Sequence, residues 1–122
     1  KAEREMIAVA VSSQNHCHYC LTAHGAGLRQ LTGNPQLAEE IAMNYRIADV
    51  TPRQRAMLDF VVKMTNEPDA VGEADRQSLR DAGFDDRTIF DIASLAGFYN
   101  MTNRVSTATG MKPNPEYHAM AR

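Results

Sequence analysis

Residues 5–24 read EMIAVAVSSQNHCHYCLTAH and contain both cysteines of the 122-residue chain. Apolar residues recur at three- and four-residue spacing before the polar break Ser12–Asn15, which predicts a first helix. A second apolar stripe begins at Cys17 and continues to Leu31. The segment therefore predicts two consecutive helices, with Cys17 and Cys20 in or next to the first turn of the second helix.

The rest of the chain has helical periodicity and no alternating strand pattern. We therefore predict a compact all-α fold of about five to six helices. The tail, residues 112–122, is expected to be loosely held. The second helix is predicted to end at Gly33, and the next two helices to begin at caps Asn34 and Thr51. A short helix is predicted from about Glu73 to Ala82, and a long last helix starts after Asp85 or Asp86 and is ended by Gly110 and Pro113.

Composition limits the classes of function. The formal net charge is −2, and charges of both signs are spread along the chain, which argues against nucleic acid or an anionic membrane as the main partner. No apolar run is long enough to span a bilayer, and no secretory signal is visible. We expect a cytoplasmic protein. The chain opens with Lys1 inside a predicted helix, so we expect one domain over residues 1–122 that lacks an upstream segment.

The helix that follows Thr51 is apolar on nearly every side between Met57 and Met64. Such a helix is expected at the centre of a fold or at a subunit contact. Because a chain this short has little protein to cover it, we predict a homo-oligomer.

The two cysteines are candidates for thiol chemistry. A cysteine becomes nucleophilic as the thiolate, which needs a base, a positive charge or a helix N-terminus nearby. His24 stands four residues after Cys20 on the same face of the helix, where an imidazole can accept the thiol proton. Glu5 lies on the preceding helix, and an antiparallel return of the chain would bring it beside Cys17, Cys20 and His24.

Two cues disagree about which sulfur reacts first. Cys17 is nearer the helix N-terminus, where the helix dipole favours a thiolate by up to about 1 kcal/mol. Cys20 has His24 one turn away, and a neighbouring imidazole can lower a thiol pKa by several units, roughly. The second effect is larger, so the residues favour Cys20.

The other polar candidates have less specific settings. His16 and His18 are expected to face solvent, and His118 belongs to the tail. Asn103 and Arg104 are candidates to pair with a substrate, but a helix cap or a subunit salt bridge is favoured for them.

A glutamate, eleven residues, and then Cys-x-x-Cys-x-x-x-His resembles the alkylhydroperoxidase D-like group of the carboxymuconolactone decarboxylase superfamily. Residues 3–8 and 98–105 are also similar to that group. The resemblance implies an oligomeric all-helical protein whose dithiol reduces a hydroperoxide and is re-reduced by an external thiol or dithiol. It implies Cys20 as the peroxidatic cysteine, Cys17 as the resolving cysteine and His24 with Glu5 as a proton relay. We expect no cofactor and no metal.

The chain departs from one version of this pattern, in which a histidine directly precedes the second cysteine. Here Tyr19 occupies that position. The resemblance therefore implies no relay role for the residue before Cys20. Family members that decarboxylate a lactone usually lack the cysteine pair, and its presence points away from that reaction.

Two other functions use the same residues. A redox-sensing or disulfide-exchange module would need the dithiol without a peroxide pocket. A metal-binding module would join the cysteines to His24 or His16 and to Glu5, although no second Cys/His pair follows. Attachment of c-type haem is excluded because Leu21, and not histidine, follows the second cysteine.

Overall fold

A computed structural model describes residues 1–122 and contains six α-helices and no strand. The all-α prediction is confirmed. None of the helices combines the length and the apolar composition needed to cross a membrane. The helices are α1 (Ala2–Gln14), α2 (His18–Thr32), α3 (Pro35–Asn44), α4 (Pro52–Asn66), α5 (Glu73–Asp81) and α6 (Asp86–Ala108), with single 3-10 turns at 45–47, 68–70 and 115–118.

Local sequence explains where these helices begin and end. The Asn34 side chain accepts hydrogen bonds from two backbone N–H groups in the first turn of α3. Thr51 and Gln54 form a reciprocal capping box at the start of α4. Gly33 ends α2 with a left-handed φ of 67°, which glycine adopts without steric cost. The predicted caps at these three positions are confirmed.

Helix α1 is at the centre of the fold. It packs against α2, α3, α4 and α6, and every residue of Met6–Ser12 is buried. The sequence predicts that α1 has one buried face. In the structure, four surrounding helices bury this part of α1 on every side. Since only residues 15–17 separate α1 from α2, the two helices return antiparallel to each other.

Helix α4 is the apolar helix of the sequence, and the chain itself covers it. Five apolar residues between Met57 and Val62 are buried, where α4 packs against α1, α5 and α6. The predicted central position is confirmed. The argument that a single chain has too little protein to cover this helix is wrong. Exposed apolar side chains lie on several other elements, and three of them are neighbours on α6, where Phe98, Met101 and Val105 are 52%, 55% and 55% exposed.

The C-terminal tail is docked, contrary to the loose tail that the sequence predicts. Arg29 of α2 is 4% exposed. Its Nε donates to the carbonyl oxygen of Met120 at 2.8 Å, and its Nη2 donates to that of Tyr117 at 2.9 Å. Arg122 also pairs with Glu39 of α3. A buried guanidinium that can satisfy several carbonyls holds this segment against the helices.

Polar side chains join α6 to the end of α1. Asn103 is 1% exposed; its Nδ2 donates to Ser12 Oγ at 2.9 Å, and its Oδ1 accepts from Asn15 Nδ2 at 3.0 Å. The expectation of a cap or a subunit salt bridge is therefore wrong for Asn103, which is a buried link within the chain. Arg104 donates to the backbone and the side chain of Asn100 in its own helix.

We predict that Asn103→Ala lowers the free energy of unfolding by about 2 kcal/mol, because two hydrogen bonds are lost and the Ser12 hydroxyl loses its donor. Urea denaturation followed by circular dichroism measures the change. Asn66→Ala is the matched control, since Asn66 is exposed and makes one bond to Gln14; it should change stability by less than about 0.5 kcal/mol. Equal losses in the two variants would contradict the special role of Asn103.

Candidate active site

The two cysteines lie where α2 begins. Cys17 is the N-cap of α2, and its Sγ accepts a hydrogen bond from the backbone N–H of Cys20 at 3.3 Å. Cys17 is 1% exposed and Cys20 is 4% exposed, and both are free thiols. The structure thus puts the pair at the predicted first turn, although Cys17 lies one residue outside the helix.

Glu5 and His24 form a pair between α1 and α2. His24 Nδ1 lies 2.7 Å from Glu5 Oε2, and the two side chains are 28% and 24% exposed. The antiparallel return of α2 therefore brings Glu5 to His24, as the sequence suggests. Gly27 makes room for the carboxylate, since a Cβ at that position would lie 3.2 Å from Glu5 Cδ.

Tyr99 of α6 contacts the imidazole of this pair. The ring centroids of Tyr99 and His24 are 5.0 Å apart in an edge-on arrangement, and Tyr99 is 8% exposed. Burial raises the pKa of the Tyr99 hydroxyl, and the negative charge of Glu5 raises it further. Sequence reasoning misses this contact, because a tyrosine that packs in the core has the same helical spacing.

The polar contact of the Cys20 thiol is on α6 and not on α2. Cys20 Sγ lies 3.8 Å from the Oγ of Ser106, and Ser106 is 7% exposed. The structure contains no direct hydrogen bond between Cys20 and His24, whose Nδ1 is engaged by Glu5. Sequence reasoning missed Ser106, since a lone serine near the end of a helix carries no distinguishing pattern.

The surroundings of Cys17 disfavour its thiolate. Burial raises the pKa of the Cys17 thiol, and a hydrogen bond with the Cys20 side chain raises it further. The backbone N–H of Cys20 and the side chain of Thr107 act in the opposite direction but do not reverse the shift. Desolvation thus outweighs the helix N-terminus at Cys17, which favours the protonated thiol at neutral pH.

The remaining histidines do not join the site. His16 and His18 are exposed, as the sequence predicts, and the ring of His18 lies 5.7 Å from that of His118 in the tail. No group of three or more His, Cys, Asp or Glu side chains in residues 1–122 is arranged to hold a metal ion. The four ligands suggested by the metal hypothesis are therefore not assembled.

Neither cysteine lines any of the five main cavities. A cavity of about 570 Å³ borders Arg4, Ile7 and Phe98 between α1 and α6. Another, of about 360 Å³, is lined by Asn15, Thr107 and three further residues, but by neither cysteine. A reagent therefore reaches Cys20 in the single chain only through the small part of its surface that is exposed.

Comparison with known proteins agrees with this architecture. The structure of an uncharacterized peroxidase-related protein from Silicibacter sp. TM1040 has 61% sequence identity and a TM-score of 0.98. That of an uncharacterized peroxidase-related protein from Ralstonia eutropha JMP134, described as an alkylhydroperoxidase AhpD core, has 48% identity and a TM-score of 0.96. Both comparisons cover 100% of this chain and 64% of the other chain, so the chain spans less than two thirds of the length of these relatives.

A more distant structure shares the fold alone. A protein of unknown function from Agrobacterium tumefaciens has 23% identity and a TM-score of 0.79, over 92% of this chain and 77% of that one. No curated protein matches the chain.

A sequence model links the site to a family. The model of the carboxymuconolactone decarboxylase family matches residues 1–63, which contain Glu5, both cysteines and His24. With the fold and the peroxidase-related relatives, this match shows that the chain belongs to the carboxymuconolactone decarboxylase family, in its alkylhydroperoxidase D-like group.

Proposed function

We propose that this chain is a thiol-dependent peroxidase that reduces hydroperoxides through a dithiol–disulfide cycle of Cys17 and Cys20. The observation that carries the proposal is that two free thiols lie at the start of α2, the same helix whose His24 pairs with Glu5, with nitrogen and oxygen 2.7 Å apart. The peroxidase-related descriptions of the two similar structures support the same class of reaction.

The proposed cycle begins at Cys20. Its thiolate attacks one oxygen of the hydroperoxide, an S–O bond forms as the O–O bond breaks, and the products are a sulfenic acid and an alkoxide, which leaves as alcohol or water after protonation. Cys17 then attacks the Cys20 sulfur, forming the disulfide and releasing water. The upward pKa shift of Cys17 supports this order, since it favours Cys20 as the first thiolate.

His24 and Glu5 are proposed to move the proton from the Cys20 thiol to the leaving alkoxide. With Nδ1 engaged by Glu5, Nε2 is the ring nitrogen free to exchange a proton. Side chains four residues apart on a helix have Cβ atoms about 6 Å apart, so one water molecule or the peroxide itself can bridge Cys20 and His24. Glu5 stabilises the imidazolium formed in this exchange.

The cycle requires a reductant that the chain does not supply. An external thiol or dithiol provides two electrons to reopen the Cys17–Cys20 disulfide. A reducing compartment such as the cytoplasm keeps such thiols available, and we propose that location for the protein. Steady-state consumption of hydrogen peroxide and an organic hydroperoxide with several thiol reductants tests the whole proposal, and absence of turnover with all of them would refute it.

We predict that, in Cys17→Ser, a pulse of peroxide leaves a sulfenic acid on Cys20 that dimedone traps, because no resolving thiol remains. Cys20→Ser should stay largely unmodified over the same interval, since burial disfavours the Cys17 thiolate. Mass spectrometry of the intact proteins measures both adducts. Labelling of Cys17 in place of Cys20 would reverse the assigned roles while leaving the peroxidase function standing.

We also predict that Glu5→Gln reduces peroxide turnover about 100-fold, because a neutral amide cannot stabilise the imidazolium. The carboxylate is partly exposed, so the midpoint of thermal unfolding should change little. Glu3→Gln is the matched control on the same helix, where Glu3 pairs with Arg53. If the two variants kept equal turnover, Glu5 would have no role in proton transfer.

A redox sensor or disulfide-exchange module is the second candidate. The observation that favours it is that neither cysteine lines any of the five main cavities. Such a module would form the Cys17–Cys20 disulfide from a partner's disulfide, with negligible peroxide turnover. The turnover measurement above therefore distinguishes the two functions.

We propose that the protein is a homo-oligomer through α6, whose Phe98, Met101 and Val105 are exposed on one stripe with three- and four-residue spacing. We predict that Phe98→Glu weakens association in sedimentation velocity, because a buried charge is costly at an apolar contact. Met43→Glu is the matched comparison, since Met43 is 86% exposed but lies on α3 and not on this stripe. A wild-type monomer at micromolar concentration would contradict the proposal.

A further inference from the structure

We propose that Ser106 is a further catalytic residue, whose hydroxyl donates a hydrogen bond to the Cys20 thiolate. The inference rests on the proposed function, since it concerns the sulfur that attacks the peroxide. It begins from geometry: Ser106 Oγ lies 3.8 Å from Cys20 Sγ, and both side chains are more than nine-tenths buried. The hydroxyl therefore faces one of the reacting atoms.

The need for a donor follows from burial. A thiolate that is 4% exposed loses most of its hydration, and the negative charge must be stabilised by protein groups. Cys17 contributes a side-chain hydrogen bond with Cys20 but no positive charge. His24 makes its hydrogen bond to Glu5 and none to Cys20. On α6, Tyr99 faces the imidazole, so Ser106 is the α6 side chain that contacts the sulfur of Cys20.

The hydroxyl of Ser106 is suited to this task. A serine hydroxyl is both a donor and an acceptor, and it can rotate between the two roles. It accepts the S–H of the Cys20 thiol and can donate to the sulfur after deprotonation. It donates to no other side chain or backbone group in the chain, although the backbone oxygen of Ser106 accepts from Met111 N–H at 3.0 Å. The hydroxyl proton is therefore available to the thiolate.

The position of Ser106 is fixed by the helix that carries it. Ser106 is three residues after Asn103, whose side chain is bonded to Ser12 and Asn15 at the end of α1. Asn103 lies four residues after Tyr99, so the three side chains share one face of α6. Because Asn103 holds α6 against the α1–α2 turn, the distance between Ser106 and Cys20 is set by tertiary packing and not by a flexible loop.

The experiment measures the ionisation of Cys20 without peroxide. In the Cys17→Ser background Cys20 is the only thiol, and serine can replace Cys17 as the N-cap of α2. The rate of alkylation by iodoacetamide is recorded against pH by intact mass. Ser106→Ala should raise the pKa of Cys20 by about one unit and slow alkylation at neutral pH about tenfold. Ser106→Gly removes the same hydroxyl and should give the same direction of shift.

Two controls separate this role from packing. Ser106→Thr keeps the hydroxyl and should restore the pH profile of alkylation. Ser94→Ala makes the same change at an exposed position of α6 and should leave the profile unaltered. An unchanged profile in folded Ser106→Ala, or an equal shift in Ser94→Ala, would overturn the proposal.

The alkylation experiment tests the role of Ser106 separately from the proposed peroxidase activity. A shifted alkylation profile in a protein without peroxide turnover would support the Ser106 contact and refute the peroxidase function. A wild-type profile in Ser106→Ala with turnover intact would refute the role of Ser106 and leave the function standing.

Discussion

The burial of α1 is the constraint on which the rest of the structure depends. Residues Met6–Ser12 are enclosed by four other helices, so α1 fixes where α2, α3, α4 and α6 can lie. The short connection at 15–17 makes α2 return along α1, which places the first turn of α2 at one end of the core. Glu5, near the other end of the buried segment, then meets His24 and Gly27. The apolar packing of one helix thus positions both the thiols and the proposed proton relay.

One face of α6 completes the arrangement. Tyr99, Asn103 and Ser106 recur at four- and three-residue spacing, and each contacts a different part of the α1–α2 pair: the imidazole of His24, the polar end of α1, and the sulfur of Cys20. Because these three side chains share one face of α6, packing that face inward makes all three contacts at the same time. Asn103 therefore has two effects: it stabilises the contact between α1 and α6, and it sets the position of Ser106 in the site.

Electrostatics at the dithiol is a balance between desolvation and hydrogen bonding. Both sulfurs are almost completely buried, which disfavours charge on either of them. At Cys17 the N–H donor of the helix start does not compensate for burial, and the pKa rises. The weak helix-dipole effect expected from the sequence is therefore not decisive at this position. A difference between the two cysteines then depends on the side chains around each of them, and the contact of Cys20 with Ser106 of α6 is one of these.

The sequence by itself determined the helical class, the caps at Gly33, Asn34 and Thr51, and the placing of the cysteine pair at the start of a helix, because these depend on residues a few positions apart. The spacing of Glu5, Cys17, Cys20 and His24 also identified the family. Only the tertiary structure decided the contacts between distant segments. Periodicity marks Met57–Met64 as apolar on nearly every side, but it cannot show whether the same chain or a second copy covers that helix.

The buried roles of Arg29 and Asn103 were likewise beyond the sequence, since a charged or amide side chain at a helical position is usually exposed. The contacts of Ser106 and Tyr99 were also beyond the sequence. Their partners lie 86 and 75 positions earlier in the chain, at Cys20 and His24, and no local pattern encodes which face of α6 meets α2. That choice follows from how four other helices enclose α1, and it depends on packing among all of these helices.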